Sequence, residues 1–241
     1  MVDMYQDLSE LGRNINWKRK NSQRLLKRAF DILFSLFLMC LLWPFMLVTA
    51  FLVRITSKGP IMIRQERIGL YGKPFAMYKY RSMKAENPDG TSKAVGDVTN
   101  NSPHLTPIGG FIRAWRFDEL PQLWNIFKGD MSFVGPRADL FSNLKLYGKD
   151  HLISFTMPPG ATAWTATRGA YNCDWVTRRN INVEYINKWN FWLDIKIIVG
   201  TIFFVLKQED TVPFNTEDES RNAILKRLQE ERLNEDSEKG K

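Results

Sequence analysis

Two adjacent acids, Asp118 and Glu119, are the residues of this chain whose types and surroundings best suit chemistry. They lie within RAWRFDELPQLWNIFKGDMSFVGPR, which runs from Arg113 to Arg137. A carboxylate can attack phosphorus to form an acyl-phosphate, which splits one transfer into two easier steps. Arginine guanidinium groups bind phosphate oxygens and stabilise charge during phosphoryl transfer. The stretch therefore predicts a site that makes and breaks phosphate bonds, with Asp118 as candidate nucleophile and Glu119 as its partner.

The same residues also permit a purely structural interpretation. The apolar residues that follow the acids have the spacing of one buried helix face: Leu120, Leu123, Trp124 and Phe127. Asp118 would then cap this helix, with Pro121 in its first turn. At a helix N-terminus the dipole favours the ionised form of Asp118. Arg113 and Arg137 could equally form salt bridges to nearby acids, so the residues alone leave both interpretations open.

Composition narrows the function classes. The chain has 241 residues, 34 Lys and Arg against 26 Asp and Glu, and a net charge of +8. Two cysteines and two histidines suggest neither a disulfide framework nor a zinc cluster. Eight bases and one acid between Arg54 and Lys84 suit a membrane surface, a nucleotide or a nucleic acid. A nucleic-acid binder is disfavoured because no binding motif is present, and no Walker or dinucleotide motif occurs.

An apolar segment near the N-terminus predicts contact with a membrane. The chain is uncharged from Ile32 to Val53, which is long enough to cross a bilayer. Asp31 stands at its entrance, where an acid is costly if buried. Pro44 lies near its middle and is expected to break the helix, so that the chain could enter and leave on the same side. Both flanks are basic and give no orientation, so a span and a re-entrant hairpin remain open.

The remaining elements are expected to be short. Strands are predicted at Ile61–Ile63, Phe75–Tyr80 and Met131–Val134, and a helix from Ile108 to Trp115. The segment from Trp189 to Leu206 is aromatic and aliphatic, but its uncharged part is too short to span a membrane. It is expected either to lie in the membrane interface or to pack as an ordinary helix.

Several motifs, in this order, resemble the bacterial sugar transferase family, the monotopic polyprenyl-phosphate phosphoglycosyl transferases. They are K-R-A-F-D-I before a proline-broken helix, Q-E-R-I-G, Y-K-Y-R-S-M, F-D-E-L-P-Q-L-W-N and K-G-D-M-S-F-V-G-P-R. The resemblance extends from Lys27 to Leu206. It implies an α+β fold: a small monotopic membrane domain with a re-entrant N-terminal helix broken at Pro44, interfacial amphipathic helices and a few short strands.

The resemblance also implies how the chain is divided. A polar N-terminal segment is expected at 1–23, the re-entrant membrane helix at 24–58, and a cytoplasmic catalytic domain with interfacial helices at 59–207. A charged tail follows at 208–241, with a short helix from Leu225 to Leu233.

The activity that the resemblance implies is transfer of a sugar-1-phosphate from a UDP-sugar to undecaprenyl phosphate, with release of UMP. Asp118 would form the covalent phosphosugar intermediate with Glu119 as its partner, and Mg²⁺ would bind at Asp118. The residues expected to bind phosphate are Arg113, Arg137, Lys79 and Arg81. The enzyme would work at the cytoplasmic face of the bacterial inner membrane and start a glycan for exopolysaccharide, capsule, O-antigen or glycoprotein. No nucleic acid is expected as a partner, and the existence of a homo-oligomer stays open.

Three departures from the family pattern limit this expectation. Trp43 replaces a serine before Pro44, and Ala138 replaces a proline after Arg137. The family motif R-P-G-I-T-G-W-A-Q-V-N-G-R reads P-P-G-A-T-A-W-T-A-T-R-G-A over residues 158–170. That loop is expected to help hold the donor, so the sugar stays open. A non-catalytic membrane anchor or assembly protein that retains the fold is the alternative; the altered loop favours it, and the intact Asp118–Glu119 pair opposes it.

Overall fold

The computed structural model describes residues 21–84, 103–168 and 175–207, with a mixed helix and sheet architecture as predicted. The helices are α1 (Asn21–Thr56), α2 (Gly109–Ala114), α3 (Gln122–Lys128), α4 (Trp164–Thr167), α5 (Trp175–Lys188) and α6 (Phe191–Lys207). The strands are β1 (Met62–Ile68), β2 (Pro74–Tyr80), β3 (Ser132–Val134) and β4 (Gly160–Thr162). Short 3-10 turns occupy Leu70–Gly72, Phe117–Glu119, Phe141–Leu146 and Lys149–Thr156. Residues 1–20 of the predicted polar segment, the predicted tail and the predicted helix at 225–233 fall outside the described residues.

Helix α1 carries the apolar segment. It is 36 residues long, and a stretch with a mean hydropathy of 2.5 makes it long and apolar enough to cross a membrane. Most of its apolar side chains point away from the rest of the fold, among them Leu33, Phe37, Leu41, Trp43, Leu47 and Phe51. Pro44 lies inside the helix and has no N–H, so the carbonyl of Cys40 loses its usual donor. The helix is assigned through Pro44, and the predicted re-entrant break stays a prediction.

The first turns of α1 are joined to the rest of the fold by a buried ion pair. The Nζ of Lys27 lies 2.6 Å from Oδ2 of Asp194 on α6 and donates to the carbonyl of Val134 at 2.7 Å. Asp194 also accepts hydrogen bonds from the hydroxyl of Tyr185 (2.6 Å) and from Nε1 of Trp189 (3.1 Å). A buried charge is tolerated when it is paired and hydrogen-bonded. These contacts unite α1, β3, α5 and α6 at one point.

Arg28, the next residue, supplies hydrogen-bond donors to the last carbonyls of another helix. Its guanidinium donates to the carbonyls of Ile126 and Phe127, both at 2.7 Å, at the C-terminus of α3. A helix ends with carbonyls that have no donor within the helix, and an arginine there also complements the helix dipole. Gly129 follows in a left-handed conformation with φ of 98°, and a side chain at this position would meet the Arg28 guanidinium. Arg28 therefore connects α1 to the helix that follows the acidic pair.

The contacts of Asp31 explain why an acid is present where the apolar stretch of α1 begins. Its Oδ1 accepts hydrogen bonds from the hydroxyl of Ser132 and the backbone N–H of Phe133, both at 3.1 Å. The carboxylate is therefore buried against strand β3. These hydrogen bonds reduce the cost of burying the acid, because the protein replaces part of its hydration.

The middle and the far end of α1 pack on the same unit. Leu38 and Met39 pack against a cluster that includes Leu123 and Ile126 of α3. Closer to the far end, the Tyr80 hydroxyl donates to the carbonyl of Met46 at 3.0 Å. Val53 is fully buried in a cluster with Tyr80. The helix therefore contacts the folded unit near both of its ends and near its middle.

Two small sheets complete the frame. Strands β1 and β2 form an antiparallel pair with register from Met62↔Tyr80 to Ile68↔Pro74, while β3 and β4 pair in parallel. Strand β1 extends well past the predicted Ile61–Ile63, because pairing with β2 holds residues whose charged side chains gave no strand signal. Strand β4 was not predicted from the sequence. A side chain at Gly160 would collide with the backbone of Gly135, so glycine permits the close approach of β3 and β4.

The predicted start of α3 was wrong. Asp118 was expected to cap this helix, but it lies in the 3-10 turn Phe117–Glu119, and α3 begins only at Gln122. Pro121 precedes the helix as its cap. The acidic pair is thus separated from α3 and sits in a turn of its own.

The predicted buried face of α3 was also partly wrong. Leu123 is buried as expected, but Trp124 is 50% exposed and stacks on Phe127 with ring centroids 5.6 Å apart. Asn125 is fully buried instead; its amide accepts from the backbone of Tyr78 (3.1 Å) and donates to the carbonyl of Ala76 (2.8 Å). These hydrogen bonds to β2 turn the Asn125 side inward and leave Trp124 outside.

We expect Lys27→Met to destabilise the protein by about 3–5 kcal/mol, because it leaves the carboxylate of Asp194 buried without a cation. Thermal unfolding in detergent micelles, followed by far-ultraviolet circular dichroism, should show a fall of several degrees in Tm. Lys196→Met is the matched control, since Lys196 lies on the same helix as Asp194 but is exposed. Equal Tm values for the two variants would contradict a structural role for the ion pair.

Candidate active site

A strained turn presents the acidic pair. Arg116, directly before Phe117–Glu119, has a left-handed backbone with φ of 59°, which is uncommon for a residue other than glycine. The turn is closed by the N–H of Glu119, which donates to the Arg116 carbonyl at 3.1 Å. Backbone strain of this kind persists only where the surrounding structure imposes it, and it is frequent at functional sites. The turn places the side chain of Asp118 inside the fold.

Glu119 is held by cations. Its Oε1 accepts a hydrogen bond from Nζ of Lys79 on β2 at 3.1 Å and lies 3.8 Å from Nη1 of Arg116. Burial alone would raise the pKa of Glu119, but Lys79, Arg116 and Arg137 outweigh it and hold that pKa at about 2. Glu119 is therefore a permanent negative charge beside Asp118.

Asp118 has the opposite environment. Burial, and then the charge of Glu119, raise the pKa of Asp118 to about 6, against the opposing effect of Lys79, Arg113 and Arg116. The prediction that a helix dipole favours its ionised form was wrong, because Asp118 is buried in a three-residue turn rather than at a helix end. A poorly solvated carboxylate that still ionises near neutral pH suits a nucleophile.

The predicted arginines take different places around the pair. Arg113, on α2, is near enough for its charge to act on Asp118. Arg137 is exposed, and its charge acts on Glu119 and on Arg67, whose pKa falls to about 10 through burial and then the charge of Arg137. Both arginines therefore belong to the electrostatic surroundings of the site.

Arg81 lies apart from the pair. Its side chain is fully buried, and its Nη2 donates to the carbonyl and the hydroxyl of Ser57, both at 2.7 Å, just beyond the end of α1. Within the described part of the chain, its Nε and Nη1 have no hydrogen-bond partner. The structure thus brings together Asp118, Glu119, Lys79 and Arg113, with Arg137 nearby, and assigns Arg81 contacts at the end of α1.

A cavity of about 270 Å³ opens beside the acidic pair. Its charged end is formed by Arg116, Glu119 and Arg137. Strand β4, α4 and α6 supply the small and apolar walls, with Gly160, Ala161, Thr162, Ala163, Thr165, Ala166, Ile198, Thr201, Ile202 and Phe204, together with Phe133. The altered loop therefore lines the site directly.

Arg116 is a site residue that the sequence did not single out. It contacts Glu119, lines the cavity and acts on Asp118. In the sequence, only its position two residues before the acidic pair pointed to Arg116. The left-handed backbone that turns Arg116 toward the site depends on the tertiary structure.

Arg168, the base within the altered loop, has another role in the described structure. Its guanidinium forms an ion pair with Glu184 of α5, with Nη1 2.6 Å from Oε2, and lies 3.7 Å from the ring centre of Trp164. It joins α4 to α5 and is not among the residues that line the cavity.

Few side chains near the acidic pair could bind a metal ion. Among residues 21–84, 103–168 and 175–207, no group of three or more His, Cys, Asp or Glu side chains could hold a metal ion. Magnesium, however, is commonly bound by one or two carboxylates together with substrate phosphates. Asp118 fits this pattern better than Glu119, because Glu119 already binds Lys79.

The sequence model of the family described as "Bacterial sugar transferase" matches residues 22–208. The chain belongs to the bacterial sugar transferase family. The predicted family and the predicted class of enzyme, a transferase, are thereby confirmed.

Three relatives illustrate the similarity. The chain is 37% identical over 185 residues to "Uncharacterized sugar transferase EpsL" of Bacillus subtilis (strain 168), covering 77% of this chain and 89% of that one. It is 36% identical over 188 residues to "UDP-glucose:undecaprenyl-phosphate glucose-1-phosphate transferase" of Escherichia coli (strain K12), covering 75% of this chain and 40% of that one.

It is also 34% identical over 190 residues to "UDP-N-acetylgalactosamine-undecaprenyl-phosphate N-acetylgalactosaminephosphotransferase" of Aeromonas hydrophila, covering 75% of this chain and 44% of that protein. The chain therefore spans nearly all of the first relative and less than half of the other two.

The opposite environments of the two acids predict opposite effects on stability. Ionised Asp118 is disfavoured in the fold, so it lowers stability above pH 6 by up to about 3 kcal/mol, and this penalty disappears below its ordinary pKa near pH 4. Ionised Glu119 is favoured, so it contributes stability above its ordinary pKa. That contribution is lost as the pH falls toward 2.

We therefore expect Asp118→Asn to raise Tm at pH 8, measured in detergent with EDTA present, and Glu119→Gln to lower it. At pH 4.5 the gain from Asp118→Asn should be much smaller. If both variants changed Tm in the same direction at pH 8, the proposed electrostatics of the pair would be wrong.

Proposed function

We propose that this protein transfers a sugar-1-phosphate from a UDP-sugar to undecaprenyl phosphate and releases UMP. The observation that carries the proposal is Asp118, a buried carboxylate with a raised pKa, on which the charges of Lys79, Arg113 and Arg116 act. The names of the two longer relatives support the same class of donor and acceptor. The product would begin a membrane glycan such as exopolysaccharide, capsule, O-antigen or a glycoprotein.

The reaction proceeds in two displacements. An oxygen of Asp118 attacks the phosphorus that carries the sugar, a bond to that oxygen forms, and the bond from phosphorus to UMP breaks. A phosphate oxygen of undecaprenyl phosphate then attacks the same phosphorus, and the bond to Asp118 breaks. The products are UMP and a lipid diphosphate sugar, and the carboxylate is restored.

The cationic side chains stabilise charge in both steps. Arg113, Arg116 and Arg137 surround the acids and would bind the donor phosphates, whose negative charge is spread over several oxygens. Lys79 donates a hydrogen bond to Glu119 and offsets its negative charge next to the substrate phosphates. This arrangement lets an acidic pair accept an anionic substrate that bare carboxylates would repel.

Mg²⁺ fits the site as a cofactor. Asp118 would hold it, and the donor diphosphate would supply further oxygen ligands. When bound, the ion supplies positive charge that neutralises the diphosphate and improves UMP as a leaving group.

We propose the re-entrant arrangement for α1, with the catalytic unit on the cytoplasmic face of the inner membrane. A straight helix of 36 residues would be about 54 Å long, far more than the roughly 30 Å of a bilayer core. Lys27 near its start and Val53 near its end both pack on the same unit. A helix held at both ends by one unit is best accommodated when it enters and leaves one leaflet, with the turn near Pro44.

Exposed aromatic side chains elsewhere support this placement. Phe111 and Trp115 near α2, Trp124 on α3 and Trp192 on α6 are each largely exposed. Tryptophan side chains are favoured at the level of lipid headgroups. The short helices would therefore rest in the membrane interface beside α1.

The transfer reaction is tested with purified protein, Mg²⁺, undecaprenyl phosphate and a panel of UDP-sugars. At least one donor should release UMP, and Asp118→Asn should reduce release at least a thousandfold because no nucleophile remains. In the absence of acceptor, intact-protein mass spectrometry should show a sugar-phosphate adduct on the wild type and none on Asp118→Asn.

Lys196→Met serves as the matched control and should keep wild-type rates, since Lys196 is exposed away from the cavity. Release of UMP by Asp118→Asn at the wild-type rate would eliminate the two-step route. If the wild type released UMP from no donor, a non-catalytic membrane anchor would be the better description of the protein.

Topology is tested by labelling single cysteines in whole cells, in a variant whose two native cysteines are replaced by serine. Asn21→Cys lies at the start of α1 and Lys58→Cys just beyond its end. Both should resist a membrane-impermeant maleimide until the inner membrane is permeabilised. Labelling of only one of them in intact spheroplasts would show that α1 crosses the membrane and would exclude the hairpin.

A further inference from the structure

The cavity beside the acidic pair changes character along its length. At one end it is lined by Arg116, Glu119 and Arg137, which suit a phosphate and its counter-charges. The other lining residues are uncharged. Most are apolar or small, namely Phe133, Gly160, Ala161, Ala163, Ala166, Ile198, Ile202 and Phe204, and three are threonines, Thr162, Thr165 and Thr201. A ligand that fills it must therefore combine an anionic group with a hydrocarbon portion.

The hydroxyl groups of two threonines in the wall bond within the protein. The hydroxyls of Thr162 and Thr201 lie 2.8 Å apart, and Thr201 also donates to the carbonyl of Ile197 at 2.8 Å. Because the hydrogens of these two hydroxyls are used within the protein, a sugar in this part of the cavity would find few donors to replace its hydrogen bonds to water. A hydrocarbon chain has no such penalty and gains from leaving water.

The apolar part of the lining reaches the exposed surface of α6, which we place at the membrane. Ile202 lines the cavity and is also 54% exposed on the outer face of α6. The same face carries Trp192, Val199 and Phe203, all exposed. A chain lying among the lipids could therefore reach the acidic pair past Ile202 without passing through water.

Residues of the altered loop form part of this apolar lining. Ala161, Ala163 and Ala166 each contribute only a methyl group to it. A methyl group offers a sugar no hydrogen bond and suits contact with hydrocarbon.

We infer that this cavity seats the isoprenoid chain of the acceptor next to its phosphate, which rests on the transfer function proposed above. The phosphate lies at the Arg116–Arg137 end, and the first units of the chain pass between α4 and α6 and leave past Ile202 into the membrane. Ile202 and Ala166 are then determinants of acceptor binding, while the sugar of the donor lies on another side of Asp118.

The test compares Ile202→Asn with Val199→Asn. Both residues are exposed apolar positions of α6, but only Ile202 lines the cavity. We expect Ile202→Asn to raise the KM for undecaprenyl phosphate about tenfold or more with little change in the KM for the UDP-sugar. Val199→Asn should leave both constants within about twofold of the wild type, since it changes only the contact with lipid.

Ala166→Leu provides an independent change, because it fills the cavity without adding a polar group. It should also raise the acceptor KM, and the sugar-phosphate adduct formed without acceptor should still appear. If Ile202→Asn and Val199→Asn gave the same constants, or if Ala166→Leu raised the donor KM instead, the cavity would not be the acceptor site. A wild type that releases no UMP from any donor would instead refute the proposed function itself.

A binding measurement that does not depend on turnover or on the folding of the Ile202 variant completes the test. Ala161→Cys, in a variant whose two native cysteines are replaced by serine, places a thiol on an exposed part of the cavity lining. Undecaprenyl phosphate in micelles should slow its alkylation by N-ethylmaleimide several-fold, whereas undecaprenol and inorganic phosphate should not. Protection by a UDP-sugar but not by undecaprenyl phosphate would overturn the inference.

Discussion

The buried ion pair between Lys27 and Asp194 is the contact on which the relation between the apolar helix α1 and the rest of the fold depends. Lys27 also binds the carbonyl of Val134, three residues before Arg137. The position of α1 and that of the cavity are therefore set by one group of buried contacts. Such pairs contribute little net free energy, but their loss is costly because the remaining charge is left buried. The pair thus specifies geometry more than it adds stability.

The acidic pair shows how adjacent residues of similar chemistry acquire different properties. Glu119 is held ionised by Lys79 and Arg116, and its permanent charge, added to burial, raises the pKa of Asp118 to about 6. Pairs of groups whose pKa values are pushed apart are typical of catalytic sites. The left-handed backbone of Arg116 belongs to the same arrangement, because it is part of the turn that buries one acid and leaves the other beside the cations. Burial of Asp118 in its ionised form therefore lowers the stability of the fold.

Much of the site was accessible from local sequence, but its arrangement was not. The roles of Asp118 and Glu119 as the central pair, and of the long apolar helix, follow from residue types and spacing. The predicted helix cap at Asp118 failed, because a favourable capping residue is outweighed by the tertiary contacts that bury it. The exposed position of Trp124 was missed for a similar reason: the hydrogen bonds of Asn125 to strand β2 decide which side of α3 faces inward.

The sequence by itself determined the family, the candidate nucleophile and the apolar character of α1, because these depend on residue order and on hydrophobicity summed over many neighbours. Only the tertiary structure decided that Lys27, Arg28 and Asp31 are internal partners of α6, α3 and β3, and that Arg116 lines the cavity. It also decided that Asp118 has a raised pKa. These properties depend on burial and on charges brought together from distant parts of the chain, and neither is encoded in local spacing.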